Sequence, residues 1–114
     1  MLTVFHNPRC RKSREALSLL EDANHDIEIR EYLKHPPTTA ELTLLLKKLG
    51  LRPLDLIRTG EKLFRENYKG KDLADSDWIK IMVNNPILIE RPIVIKGQKA
   101  VIGRPPENIL TLLS

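Results

Sequence analysis

The chain has 114 residues, 41% of them hydrophobic and 30% charged, with a formal net charge of +4. That size and balance describe one globular domain with a core of its own and exclude a disordered or fibrous protein. One cysteine excludes an internal disulfide and a zinc site built on several thiolates, aromatic residues at 4% are too few for a base-stacking platform, and no run approaches the ~18 apolar residues of a membrane span.

The elements follow in order. Leu2 to Phe5 is a short apolar, β-rich run that predicts a buried strand, broken by His6-Asn7-Pro8. From Arg11 to about Ala23 the period becomes helical, with Ala16, Leu17 and Leu20 on one face. Ile27 to Tyr32 alternates with period two and predicts a second strand, closed by Pro36-Pro37. Thr38 or Thr39 caps a second helix, Glu41 three residues after Thr38 completing a capping box, and that helix runs to Leu49 and stops at Gly50. Short helical pieces are expected over 52–60 and 61–68. A further helix, capped by Ser76, is expected through Val83 and ended by Asn84-Asn85-Pro86. Pro92 to Ile95 and Ala100 to Ile102 predict a hairpin around Lys96-Gly97-Gln98-Lys99. Pro105-Pro106-Glu107 opens a last helix with Ile109, Leu110 and Leu113 inward. The order β-α-β, helices, β-β-α is that of an α/β, thioredoxin-like fold: a mixed four-stranded sheet with a helical insertion, about 38–85, between the βαβ and ββα halves.

Cys10 falls between a strand end and a helix start, where outward backbone N–H groups and the helix dipole favour an anion. An ordinary thiol is only about 3% thiolate at pH 7, and making it mostly thiolate takes about 2.7 kcal/mol. A helix end typically contributes about 0.3–1 kcal/mol, so cations or hydrogen bonds must supply the rest. Arg11, Lys12 and Arg14 are candidate cations, and with Arg9 they leave no acid among the first 14 positions. Ser13 is one helical turn on and its hydroxyl can donate to the sulfur, and His6 can add a donor if the loop folds back. Such a local patch suits a small anion better than nucleic acid.

The run His6-Asn7-Pro8-Arg9-Cys10-Arg11-Lys12-Ser13-Arg14 resembles the active-site loop of the ArsC family, the glutaredoxin-coupled arsenate reductases. Tyr32-Leu33 with Pro36-Pro37, Asn85 to Val94, and Gly103-Arg104-Pro105-Pro106-Glu107 resemble further motifs of that family, and the likeness covers essentially the whole chain in one register, closest to the small ArsC-like proteins. The resemblance implies a single thioredoxin-fold domain over residues 1–114. It implies Cys10 as the nucleophile on arsenic and Arg58, Arg91 and Arg104 as arginines around the oxyanion. His6, Asn7, Arg11, Lys12 and Ser13 would be the substrate-binding loop, and Pro92 a cis proline beside the thiol. The implied chemistry is reduction of arsenate to arsenite through a Cys10 thioarsenate intermediate. Glutathione is the reducing co-substrate, glutaredoxin the partner, and no cofactor or metal is bound.

Two other readings share the fold. One is a glutathione-dependent thiol-disulfide oxidoreductase acting on mixed disulfides, which would keep Cys10 and depend less on Arg91 and Arg104. The other is an Spx-like regulator that binds RNA polymerase, against which Ser13 counts, because those proteins carry a C-x-x-C pair. The N-terminus MLTVFHNPRC has neither the basic start nor the apolar run of a secretory signal. A cytoplasmic monomer, touching neither membrane nor nucleic acid, is expected.

Overall fold

Strand β1 (Leu2–His6) is buried at every position but Thr3 and lies inside a sheet with a neighbour on each side. The computed structural model describes residues 2–22 and 26–113 and resolves them into two units, Met1–His35 with Arg91–Ser114, and Pro36–Glu90.

In the first unit β1 pairs in parallel with β2 (Ile27–Glu31) and antiparallel with β3 (Ile93–Lys96), which pairs antiparallel with β4 (Lys99–Ile102). The sheet order is β2-β1-β3-β4, a mixed four-stranded sheet. Strand β2 is an edge, and Ile29 is accordingly half exposed. The hairpin turn is Gly97-Gln98, and Gly97 takes the left-handed φ of 60° that such a turn needs. Helix α1 (Arg11–Asp22) buries Ser13, Ala16 and Leu20. Its expected end near Ala23 lies outside the described residues. The core gathers Leu2 and Val4 of β1, Ala16 and Leu20 of α1, Val94 of β3, and Ile109 and Leu112 near the C-terminus.

The last segment departs from expectation. It opens as a tight 3₁₀ turn (Pro106–Ile109) before its short α-helical end (Leu110–Leu113). Ile109 and Leu112 are buried, three residues apart, and Leu110 turns outward, half exposed. Leu113 packs partly against the core.

The second unit is helical. Helix α2 (Thr39–Leu49) begins with the expected capping box. Glu41 N–H donates to Thr38 Oγ1 (3.1 Å), and Thr38 N–H donates to Glu41 Oε1 (3.0 Å). The helix ends at Gly50 with φ 69°. Helices α3 (Pro53–Leu56), α4 (Lys62–Asn67) and α5 (Asp75–Asn84) follow, and α2 and α3 both pack on α5. Ser76 is not the cap of α5: the helix starts one residue earlier, behind Ala74. No side chain caps it, but Asp75 and Asp77 in its first turn place negative charge at the positive end of the helix dipole. After Asn85 a single 3₁₀ turn (Pro86–Leu88) leads to an antiparallel bridge between Ile57 and Ile89. The bonds from Arg58 N–H to Leu88 O (2.7 Å) and from Glu90 N–H to Leu56 O (2.9 Å) flank it.

Candidate active site

The loop after β1 is closed by one asparagine. Asn7 O accepts from Cys10 N–H (3.0 Å), Asn7 Oδ1 accepts from Arg9 N–H (3.0 Å), and Asn7 N–H donates to Ser13 Oγ (3.1 Å). These bonds deliver Cys10 to the first turn of α1, where its carbonyl accepts from Arg14 N–H (3.0 Å). Cys10 is 9% exposed.

Two arginines from the C-terminal part of the same unit meet the sulfur. Arg104 Nη2 lies 3.2 Å from Cys10 Sγ, and Arg104 Nε donates to Arg91 O at 2.7 Å. Arg91 is itself buried and hydrogen-bonds to the sulfur. The backbone around Arg104 is pinned by Asn108, whose Nδ2 donates to Ile102 O (3.3 Å) and Arg104 O (3.0 Å). Both the Arg91–Pro92 and the Arg104–Pro105 peptide bonds are cis. Sequence reasoning pointed to Pro92 but not to Pro105, nor to Asn108, whose role depends on a fold-back that no local pattern announces.

These groups set the ionisation of the thiol. Burial pushes the Cys10 thiol up. The Ser13 backbone N–H, the hydrogen bond and charge of Arg91, and the charge of Arg104 outweigh that, and the net effect is a lowered pKa. The shift is in the direction that a thiol nucleophile requires.

The loop side chains divide. Ser13, fully buried, contributes its backbone N–H to the sulfur. Its hydroxyl instead lies 2.7 Å from His6 Nδ1 and accepts from Asn7 N–H. The expected hydroxyl-to-sulfur bond does not form; the hydroxyl lies against His6 and Asn7 instead. His6 is buried too, and burial together with Arg14 lowers its pKa against the opposing pull of Glu31 and Glu21. It therefore stands neutral behind the loop. Arg11 and Lys12 point outward, both pairing with Glu15, at 3.0 and 3.8 Å. Neither contributes to the Cys10 shift. Arg58 belongs to the second unit. Its Nη1 is 3.1 Å from Glu61 Oε1 and its Nε 3.6 Å from Glu90 Oε1. Among the described residues no group of three His, Cys, Asp or Glu side chains is placed to hold a metal, and no helix is long and apolar enough to cross a membrane.

Comparison with known proteins agrees in extent. A sequence model of the ArsC family matches residues 5–112. A Haemophilus influenzae protein named arsenate reductase is 42% identical over 112 residues, covering 96% of this chain and 97% of that one. An Escherichia coli protein named YfgD, described as uncharacterized, is 45% identical over 112 residues, covering 96% and 94%. The structure of an arsenate reductase from Vibrio cholerae superposes with a TM-score of 0.92 at 39% identity, covering 96% of this chain and 95% of the other.

Proposed function

The chain belongs to the ArsC family, and from that membership and the thiol held by Arg91 and Arg104 we propose that it is an arsenate reductase drawing its electrons from glutathione, with a glutaredoxin to recycle it. The observation that carries this reading is the 3.2 Å approach of Arg104 to a sulfur that Arg91 also contacts. Guanidinium groups bind tetrahedral oxyanions through paired charge-assisted hydrogen bonds, and here two of them surround the attacking atom.

In the proposed cycle the Cys10 thiolate attacks arsenic. A sulfur–arsenic bond forms, and one arsenate oxygen leaves as water after taking up protons from solvent. Arg91 and Arg104 offset the charge that gathers in the five-coordinate transition state. The thiolate of glutathione then attacks the Cys10 sulfur. A sulfur–sulfur bond forms, the sulfur–arsenic pair stays on arsenic, and arsenic passes from pentavalent to trivalent and leaves as arsenite. Glutaredoxin takes the glutathione from the mixed disulfide and restores the thiolate. An external thiol is required because the chain has no second cysteine. Arg58 is the third oxyanion-binding candidate. Engaging arsenate there means exchanging one of its present carboxylate partners for another anion.

The test is arsenite release by the purified chain supplied with arsenate, glutathione, a glutaredoxin, and glutathione reductase with NADPH. Release is expected from the natural chain and none from Cys10→Ser. Turnover of a glutathione mixed disulfide with no arsenite formed would replace this reading with that of a thiol-disulfide oxidoreductase.

A further inference from the structure

Helix α1 gains nothing from the cations at its start. Arg11, Lys12 and Arg14 fill its opening, Arg9 precedes them, and the first turn contains no acid. A helix N-terminus carries partial positive charge, so cations there lower stability rather than raise it. Nor do these side chains serve the thiol: its ionisation is set by the Ser13 N–H, Arg91 and Arg104. Arg14 is occupied locally, donating to Pro8 O at 2.9 Å. Arg9 is exposed, and the side chains of Arg11 and Lys12 are 83% and 50% exposed. Arg11 and Lys12 share one carboxylate, Glu15, at 3.0 and 3.8 Å. Surface pairs of this kind contribute little, so an incoming carboxylate exchanges for Glu15 at small cost.

We propose that Arg9, Arg11 and Lys12 form a cationic collar that docks the carboxylates of a small anionic thiol, the reductant of the Cys10 adduct. The inference rests on the reductase reading for its place in the cycle. The step it serves is the attack of an anionic thiolate on the sulfur of an adduct that itself carries an oxyanion. The new sulfur–sulfur bond forms as the sulfur–arsenic bond breaks and leaves its pair on arsenic. Two like-charged reactants must meet there, and cations on the Cys10 loop and helix start that pair the carboxylates of the incoming thiol lower that repulsion. A thiol without carboxylates offers the collar nothing to dock and gains less from it.

The test needs no arsenate. Cys10 is converted to its mixed disulfide with nitrothiobenzoate, and the coloured thiolate released is followed as either mercaptopropionate or mercaptoethanol attacks, each rate expressed per thiolate. Glutathione is run as a third attacker. At low salt the anionic thiols are expected to react about fivefold faster than the neutral one. That ratio should fall towards one as salt shortens the screening length, and fall likewise in the double variant Arg11→Gln, Lys12→Gln. Any effect of the variant on the leaving group cancels in the ratio. A ratio near one in the natural chain, or a ratio that the double variant leaves unchanged, overturns the collar. If arsenite release fails while the ratio holds, only the arsenate reading is lost; if arsenite is released and the ratio is one, only the collar is lost.

Discussion

Arg104 reaches Cys10 across 94 positions of sequence, its Nη2 3.2 Å from the sulfur, while its Nε is committed to Arg91 O at 2.7 Å. One side chain thus ties two loops together and presents a charged donor to the nucleophile. Arg104→Ala should raise the Cys10 pKa towards the ordinary thiol range, read from thiolate absorbance against pH. It should lower arsenate turnover about 10²–10³-fold, the usual loss for one oxyanion donor. Arg104→Lys should recover little, because an ammonium cannot span both partners. A thiol that titrates unchanged in the alanine variant would contradict this.

The same ionisation links to stability. The folded-state pKa of Cys10 lies below its ordinary value of 9.0, so the folded chain favours the thiolate. The resulting stabilisation is complete above the ordinary value and is lost as pH falls through the lower, folded one. The urea midpoint of the natural chain, minus that of Cys10→Ser, should therefore increase from pH 6 to pH 9. A flat difference would show that the sulfur is not held as an anion.

His6 acts in the acidic range. Its folded pKa is lowered from 6.5, chiefly by burial, so the folded chain favours the neutral ring. Stability tied to it is present above about pH 6.5 and declines as pH drops from there towards the folded value. Between pH 7 and pH 5 the natural chain should lose urea resistance that His6→Asn retains.

Gly103 is a steric prediction. A Cβ there would stand 3.0 Å from Pro92 Cγ and 3.2 Å from Ile109 Cδ1. Gly103 N–H also donates to Pro92 O at 2.9 Å. Gly103→Ala should destabilise by about 1–3 kcal/mol, as overpacking does. Because the next residue is Arg104, arsenate turnover should fall further than stability alone explains. A variant with unaltered urea midpoint and turnover would mean that the loop accommodates the methyl group.

The second unit allows a cleaner check. Thr38→Ala removes one half of the capping box and should cost about 1 kcal/mol. Gly50→Ala meets no atom within 4 Å, so its cost, also about 1 kcal/mol, is that of forcing a side chain into φ 69°. Both are read from urea denaturation, and neither should move the Cys10 titration.

Those two caps show which part of the fold is legible in sequence. Thr38, Glu41 and Gly50 act within four residues of their partners, so their positions alone specify the ends of α2. The strands were equally readable, although the alternation of β2 marked extended backbone rather than burial, since Ile29 is half exposed at the sheet edge. Ser76 misled because the two aspartates beside it gave α5 another way to begin. Leu110 misled because Ile109, Leu112 and Leu113 make the inward i, i+3, i+4 stripe, which leaves the residue next to Ile109 facing out.

At the site, the helix start and the charge around Cys10 were visible, but the division of labour was not. Arg11 and Lys12 are nearest in sequence yet face away, whereas Arg91 and Arg104 meet the sulfur through the hairpin. The hydroxyl of Ser13 was equally unreadable, since its choice of His6 over the sulfur depends on where β1 ends.

The first unit is assembled from both ends of the chain, with the whole of Pro36–Glu90 made between them. During translation the cysteine therefore emerges long before either guanidinium that tunes it. Until β3 docks beside β1, a nascent chain carries a thiol that has the Ser13 N–H near it in sequence but neither guanidinium.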